Sequence, residues 1–318
     1  MAELSYARYG KDNIRLYKVY RNADGTQSVV EMTVCILLEG DIETSYVTSS
    51  NQSYPRSNIT FSYTKADNSV VVATDTQKQT CYILAKQNPV TPPELFASII
   101  GEHFVSTYSH IHACHVNIIV HKWTRMTVDG KPHPHSFFRD GEETRLVEAV
   151  AREGHGIQVK SGIKDLLVLK STGSAFYGFH RDEYTQLPET WDRILSTSVE
   201  AHWQWKTFAD LAEVKTVVPK FDAAFEAART ITMETFAKEK SPSVQNTMYL
   251  MCEQILAKES SIDAVSYSLP NKHYFEIDLS WHKGLKNTGK DAEVYAPQSN
   301  PNGLIQCTVT RKGGKSKL

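Results

Sequence analysis

Two periodicities organise this chain. Alternation of apolar and polar residues every second position marks half-buried strands, and recurrence every three to four positions marks helices that face a core. The strand period comes first, in residues 14–21 (IRLYKVYR) and 28–40 (SVVEMTVCILLEG) on either side of Ala23-Asp24-Gly25. That arrangement predicts a hairpin. Residues 91–110 (TPPELFASIIGEHFVSTYSH) then predict a helix, with Thr91 as its cap, Pro92 at the first position and Glu94 completing a capping box. Strand patterns return at 112–126 (HACHVNIIVHKWTRM) and 135–140 (HSFFRD).

The second half repeats this order. Strands are predicted at 166–172 (LLVLKST), 175–185 (AFYGFHRDEYT) and 201–208 (AHWQWKTF), and helices at 219–239 and 241–260. Closing strands follow at 262–269 (IDAVSYSL) and 271–282 (NKHYFEIDLSWH). Strand pairs flanking helices, twice over, imply an α+β fold with antiparallel sheets. The exposed edges of such sheets would be managed by assembly or by closure into a barrel.

The last of these strands holds an anomaly. Phe275, Ile277, Leu279 and Trp281 share one face, yet Asn271 and His273 head that same face. An amide and an imidazole there are either satisfied core groups or part of a site.

Composition narrows the function. With 35 basic against 36 acidic residues, no bulk charge draws the chain to nucleic acid or to a membrane, so a charged ligand must be recognised locally. No apolar run approaches the roughly 20 residues of a membrane helix. The opening MAELSYARYGKDN lacks the apolar run of a signal peptide. Five scattered cysteines without CxxC spacing read as reduced thiols of an intracellular compartment. Ser316-Lys317-Leu318 reads as the address recognised by the peroxisomal import receptor.

Several residues offer chemistry singly. His110, His112 and Cys114, placed on one strand face, and the pair His133 and His135 have spacings that a zinc ion accepts, although no carboxylate matches them. Residues 69–79 (SVVVATDTQKQ) run an apolar strand into Thr74 and Asp75, which suit a cap as well as a site. Lys11 by itself reads as a surface lysine. Ser241 as cap and Pro242 at the first position put Val244 and Gln245 in a helix's first turn, where free N–H groups favour an anion. Arg193 offers a planar fork for a flat anion, and Phe176 is either core or a stacking platform.

Taken together, YGKDN (9–13), VVATDT (71–76), KQNPVTPPELF (86–96), DGKPHPHSF (129–137), RDEYTQLPETWDRILST (181–197), WQWK (203–206), SVQNTMY (243–249), YSLPNKHYFEIDLSWHKGL (267–285) and APQSNPNGLIQCTV (296–309) closely resemble the urate oxidase (uricase) family. The resemblance runs from about residue 7 to about residue 309 and ends in the family's usual SKL. It implies the tunnelling fold, with two β-β-α-α-β-β repeats at 1–155 and 156–310, a targeting tail at 311–318, and homotetramers that enclose a tunnel with active sites at subunit interfaces. The implied reaction oxidises urate with O2 and water to 5-hydroxyisourate and hydrogen peroxide, using neither metal nor organic cofactor.

Residue by residue, the resemblance places the urate grip at Arg193 and Gln245, with Phe176 stacking on the purine and Val244 lending its backbone. Leu187 and Ile305 would line the pocket. Lys11, Thr74 and His273 would relay protons, Asn271 would hold O2 or water with Thr74, and Asp75 would come from the neighbouring subunit. On this reading Asn271 and His273 share a face because both point at one ligand. A free lysine titrates near 10.4, so a basic role demands surroundings that disfavour the ammonium form.

One departure stands out. Residues 47–63 (VTSSNQSYPRSNITFSY) interrupt the family's pattern with a stretch rich in Ser, Thr and Asn, which predicts a flexible loop. If the loop disrupted an interface, the chain would be a catalytically impaired purine-binding assembly. A zinc-dependent, pterin-processing member of the same fold is the other alternative.

Overall fold

The computed structural model describes residue 2 and residues 4–40, 46–49, 52–55 and 60–311. The expected targeting residues Ser316, Lys317 and Leu318 lie outside them. Along the chain the elements are β1 (Tyr9–Arg21), β2 (Gln27–Gly40), β3 (Tyr46–Ser49), β4 (Gln52–Pro55), α1 (Thr60–Lys65), α2 (Thr74–Gln87), α3 (Pro93–Thr107), β5 (Ile111–His121), β6 (Thr124–Val128), β7 (Lys131–Phe138) and β8 (Thr144–Arg152). There follow β9 (Gly156–Lys170), β10 (Leu195–Trp205), α4 (Leu211–Thr216), α5 (Val218–Lys238), α6 (Val244–Lys258), β11 (Ile262–Glu276) and β12 (Tyr295–Thr310). Two strands, two principal helices and two strands recur, as the resemblance implied. No helix among the described residues is long and apolar enough to cross a membrane.

Two compact units emerge. One comprises residues 1–162 with 204–223, the other 163–203 with 224–318, so β9, β10 and α5 are each divided between them. In the first unit β1, β2, β5 and β8 pair antiparallel in that order, and β9 follows β8. Alternation along β2 buries Met32, Val34, Ile36 and Leu38 completely. Phe96, Ile100 and Phe104 of α3 are buried alongside. Gly101 lets α3 cross β8 closely, because a Cβ there would stand 2.9 Å from that of Ala151.

The predicted capping box does not form. Pro92 caps α3 without a side-chain bond. Glu94 instead turns inward, fully buried, and accepts from Arg145 Nη2 and from Ser161 Oγ, each at 2.7 Å. Ser161 Oγ in turn accepts from Trp205 Nε1 at 2.9 Å, and Arg145 Nη1 reaches Asp222 at 2.6 Å. The tertiary partner outbids the local cap because an unpaired buried carboxylate is far costlier than a missing cap.

In the second unit β9, β10, β11 and β12 lie side by side. Val199, Ala201, Trp203, Val265, Tyr267 and Leu269 are buried, as are Met248, Met251, Cys252 and Ile255 on α6. Neither unit closes its sheet into a barrel among the described strands, which leaves β1 and β12 as edges. Edges of this kind invite pairing with another chain.

Three further expectations are corrected. The described part of 47–63 is not loop alone: β3 and β4 pair as a hairpin and α1 begins at Thr60. The run Tyr46-Val47-Thr48 has the β-branched and aromatic residues that suit a strand better than the segment's polarity suggested. Residues 69–73 form no strand, and α2 starts directly at Thr74. The strand predicted over 271–282 ends at Glu276, and beyond it the chain turns with Lys283 and Gly284 at positive φ. Its apolar face is consequently open, with Phe275 57% and Trp281 79% exposed.

Candidate active site

The second unit gathers most of the expected ligand-binding residues. The strand predicted over 175–185 is absent. Gly178, at φ +70°, and the Asp182–Thr185 turn break it. What remains is an isolated bridge in which Phe176 and Thr190 exchange backbone bonds of 2.7 and 2.9 Å, extended by Arg193 N donating to Ser174 O at 2.8 Å. Segments 174–176 and 190–193 therefore run side by side, which sets Arg193 beside Phe176.

Asp192 locks this arrangement. Its carboxylate accepts from Gly173 N at 2.7 Å and Thr172 Oγ1 at 2.6 Å, and the Thr172 hydroxyl above all holds its pKa below the usual carboxylate range. The Arg193 guanidinium stands 5.2 Å from the centre of the Phe176 ring. Its Nε is buried without a partner among the described residues. Burial draws its pKa below the ordinary value, but an arginine stays charged. Phe176 also stacks on Phe179, with centroids 4.8 Å apart and planes 11° apart.

The helix start lies against the same segment. Ser243, not the expected Ser241, caps α6 by accepting from Asn246 N at 3.1 Å. Val244 and Gln245 remain in the first turn, as expected, with Val244 buried and Gln245 exposed. Ser241 O accepts from Ala175 N at 3.2 Å, which couples the turn before α6 to the backbone beside Phe176. Lys170 braces that turn: its Nζ donates to Glu239 O at 2.7 Å, Ser241 Oγ at 2.8 Å and Phe236 O at 3.3 Å.

Asn271 and Val244 line one small cavity with Leu195, Thr197, Phe236, Thr247 and Leu269. At about 10 Å³ it has room for a single water. Ile305 pairs with Leu269 across β11 and β12, and Gly303 pairs with Asn271. The register then slips, so that His273 faces Gln298 while β12 bulges between Gln298 and Gly303. Asn271 and His273 are both half-buried, and the His273 ring lies 6.0 Å from that of Phe275. Leu187 stays 53% exposed in the 171–194 segment. Ser174 Oγ and Thr197 Oγ1 are buried without partners among the described residues. Asp192, Lys170, Ser174 and Thr197 escaped the sequence reading. Only Asp192, adjacent to Arg193, carried any local signal, as a residue type that bonds nearby backbone.

The first unit holds the remaining three. Gly10 permits a close approach of β1 to β2, since a Cβ there would run into Ile36 O. A bulge follows between Lys11 and Ile14, with Asn13 at φ +56°. Tyr9 Oη accepts from Val72 N at 2.8 Å, tying β1 to the entry of α2. Thr74 and Asp75 open that helix. Asp75 pairs with Lys78 at 2.5 Å, and Lys78 first, then Gln79 and Lys11, holds its pKa below the usual range. Lys11, Thr74 and Asp75 thus form one local group.

The histidines do not form the metal face that the zinc-dependent alternative requires. His110 lies in the turn before β5, Cys114 is buried in the core, His112 pairs with Glu153 at 2.5 Å, and His115 with Glu39 at 2.5 Å. His133 and His135 pack edge to face at 4.7 Å. Among the described residues no group of three or more His, Cys, Asp or Glu is placed to hold a metal ion.

The uricase family model matches residues 7–150 and 159–306. Over 319 aligned positions the chain is 63% identical to the uricase of Aspergillus flavus and 64% identical to that of Emericella nidulans, with 100% of each chain covered. The crystal structure of uricase from Arthrobacter globiformis matches with a TM-score of 0.84 at 33% identity, over 100% of this chain and 98% of that one. A urate oxidase from Bacillus sp. TB-90, 22% identical over 96% of this chain and 100% of its own, shares the fold with a TM-score of 0.78. By a family match across both halves and relatives alike over their whole length, the chain belongs to the uricase family.

Proposed function

We propose that this urate oxidase holds its substrate against Arg193 and Phe176 and moves the proton through Lys11, Thr74 and His273. The observation that carries the grip is a charged, half-buried guanidinium beside an aromatic ring, with a buried N–H left to donate. That combination fits a flat anion able to accept from a planar fork while its ring stacks. Val244 N–H and the Gln245 amide at the start of α6 supply further donors.

The reaction takes two electrons and two protons from urate overall. Urate, O2 and water give 5-hydroxyisourate and hydrogen peroxide, with the water oxygen ending on the purine. Removing a proton from the bound anion makes the ring a better electron donor to O2. Arg193 and the α6 start stabilise that added negative charge before it forms. Asn271 holds O2, or the water that replaces it, over the ring together with Thr74, and Leu187 and Ile305 close the pocket wall. No metal or organic cofactor enters this scheme.

The open edges at β1 and β12 support assembly into a homotetramer that closes a tunnel. In that assembly the Lys11, Thr74 and Asp75 group of one subunit faces the Phe176 and Arg193 group of its neighbour. The deciding experiment is oxygen uptake on adding urate, with peroxide measured in parallel. Uptake with stoichiometric peroxide supports the reading, and a tetramer that consumes no oxygen overturns it. Lys11→Met is expected to lower kcat about 100-fold, the lower end of what a general base contributes, with a much smaller change in KM. A variant keeping most of kcat would remove Lys11 from the relay.

We further propose a peroxisomal location, through recognition of Ser316, Lys317 and Leu318 by the import receptor. Deleting these three residues is expected to redistribute a fluorescent fusion from peroxisomes to cytosol, visible by microscopy. Unchanged import would refute the assignment.

A further inference from the structure

Outside this machinery one reactive pair stands apart. Cys252, on α6, and Cys307, on β12, place their sulfurs 3.9 Å apart, 55 residues apart in sequence. Cys252 is fully buried, whereas Cys307 is half-exposed and borders an open groove of about 580 Å³ that His202, Ser268 and Gln306 also line. We propose that the two thiols are a peroxide-oxidised pair, in which Cys307 is attacked first and Cys252 resolves it into a disulfide. The proposal rests on the reading above only for the source of the oxidant, which is the hydrogen peroxide the reaction releases.

The chemistry balances without another reagent. The Cys307 thiolate attacks one peroxide oxygen, the O–O bond breaks, and the departing hydroxide takes up the thiol's proton as water. Sulfur is oxidised by two electrons to a sulfenic acid while peroxide is reduced. The Cys252 sulfur then attacks the Cys307 sulfur, giving up its proton as the S–O bond breaks, and the departing hydroxide takes that proton as a second water. Bringing the sulfurs from 3.9 Å to the roughly 2.05 Å of a disulfide needs a shift of about 2 Å shared by a helix and an edge strand.

The surroundings select this pair over the other thiols. The sulfur–sulfur contact holds the Cys307 thiol below the ordinary cysteine range and drives that of Cys252 up, so Cys307 is the sulfur that ionises. Cys35, the other half-exposed cysteine, is pushed up to about 11 by burial and by Asp12. Burial pushes Cys81 up to about 12 and also raises Cys114. The bond would staple α6, which starts at Val244, to β12 two residues from Ile305, joining two elements of the proposed substrate pocket.

The test is direct oxidation of the purified, freshly reduced full-length protein with a small excess of hydrogen peroxide, followed by non-reducing digestion and mass spectrometry. A Cys252–Cys307 linked peptide, lighter by two hydrogens, is expected as the main product. Cys252→Ser should instead leave a dimedone-reactive sulfenic acid on Cys307. If both thiols remain alkylatable, or Cys35 is oxidised before them, the proposal is wrong. A second arm replaces peroxide with urate and air, with and without catalase. Peroxide release from urate with no link in either arm sinks the pair alone, whereas a link formed by added peroxide, with no peroxide released from urate, leaves the pair standing and sinks the oxidase reading.

Discussion

Arg193→Met is expected to lower kcat/KM for urate by about three orders of magnitude while leaving thermal stability nearly unchanged. Hydrogen bonds to charged groups are worth roughly 1.5–3 kcal/mol each, and the guanidinium can offer two to a flat anion, a loss of about 3–6 kcal/mol. At roughly 1.4 kcal/mol per tenfold, the middle of that range is about a thousandfold. Stability is spared for a structural reason. The described backbone bond from Arg193 to Ser174 survives the substitution, and the Nε it removes had no partner among the described residues. Methionine retains an apolar stem against Phe176. Oxygen-uptake kinetics alongside a melting curve would check both halves. Full activity would dismiss Arg193 as the urate grip, and collapse of the fold would mean that the residue is structural.

Arg145→Met makes the opposite prediction, a large loss of stability from a residue assigned no part in the chemistry. Arg145 is nearly buried between fully buried Glu94 and more exposed Asp222. Burial works against its charge, but Glu94 and Asp222 outweigh that and raise its pKa. Removing one partner of a buried pair costs about 3–5 kcal/mol, because the remaining charge is left without compensation. Here Glu94 would keep Ser161 as a donor but lose its cation. The urea unfolding midpoint should fall accordingly, and the double variant Arg145→Met with Glu94→Leu should recover much of the loss, since burying two apolar groups removes the stranded charge. If the double variant were as unstable as the single, packing and not charge would be the cause.

The two predictions mark where local sequence had authority. The alternation in 28–40 and the apolar spacing of 91–110 were enough to predict β2 and α3, because a strand or helix that buries one face must repeat at its own period. The first-turn position of Val244 and Gln245 was equally legible from Ser and Pro before an apolar run, although the cap is Ser243. Where a residue's partner is distant, local signals misled. Glu94 looked like half of a capping box and is instead the centre of a buried ion pair with Arg145. The run 175–185 had the composition of a strand, but Gly178 and the Asp182–Thr185 turn shape it into a loop, with Phe176 held by its bridge to Thr190. The apolar face of 271–282 is open beyond the end of β11, a surface that alternation alone cannot distinguish from core.

By itself, then, the sequence determined the order and type of most elements and the family, since these follow from periodicity and from motifs many residues long. Tertiary structure alone decided which groups converge. It set Arg193 beside Phe176 through a single bridge, aligned Asn271 with Val244 on one cavity, slipped β12 past His273, and brought two cysteines 55 residues apart to 3.9 Å. Periodicity reports which face of an element is buried. What that face touches depends on strand register and on long-range pairs, whose energies enter only once the chain has closed on itself.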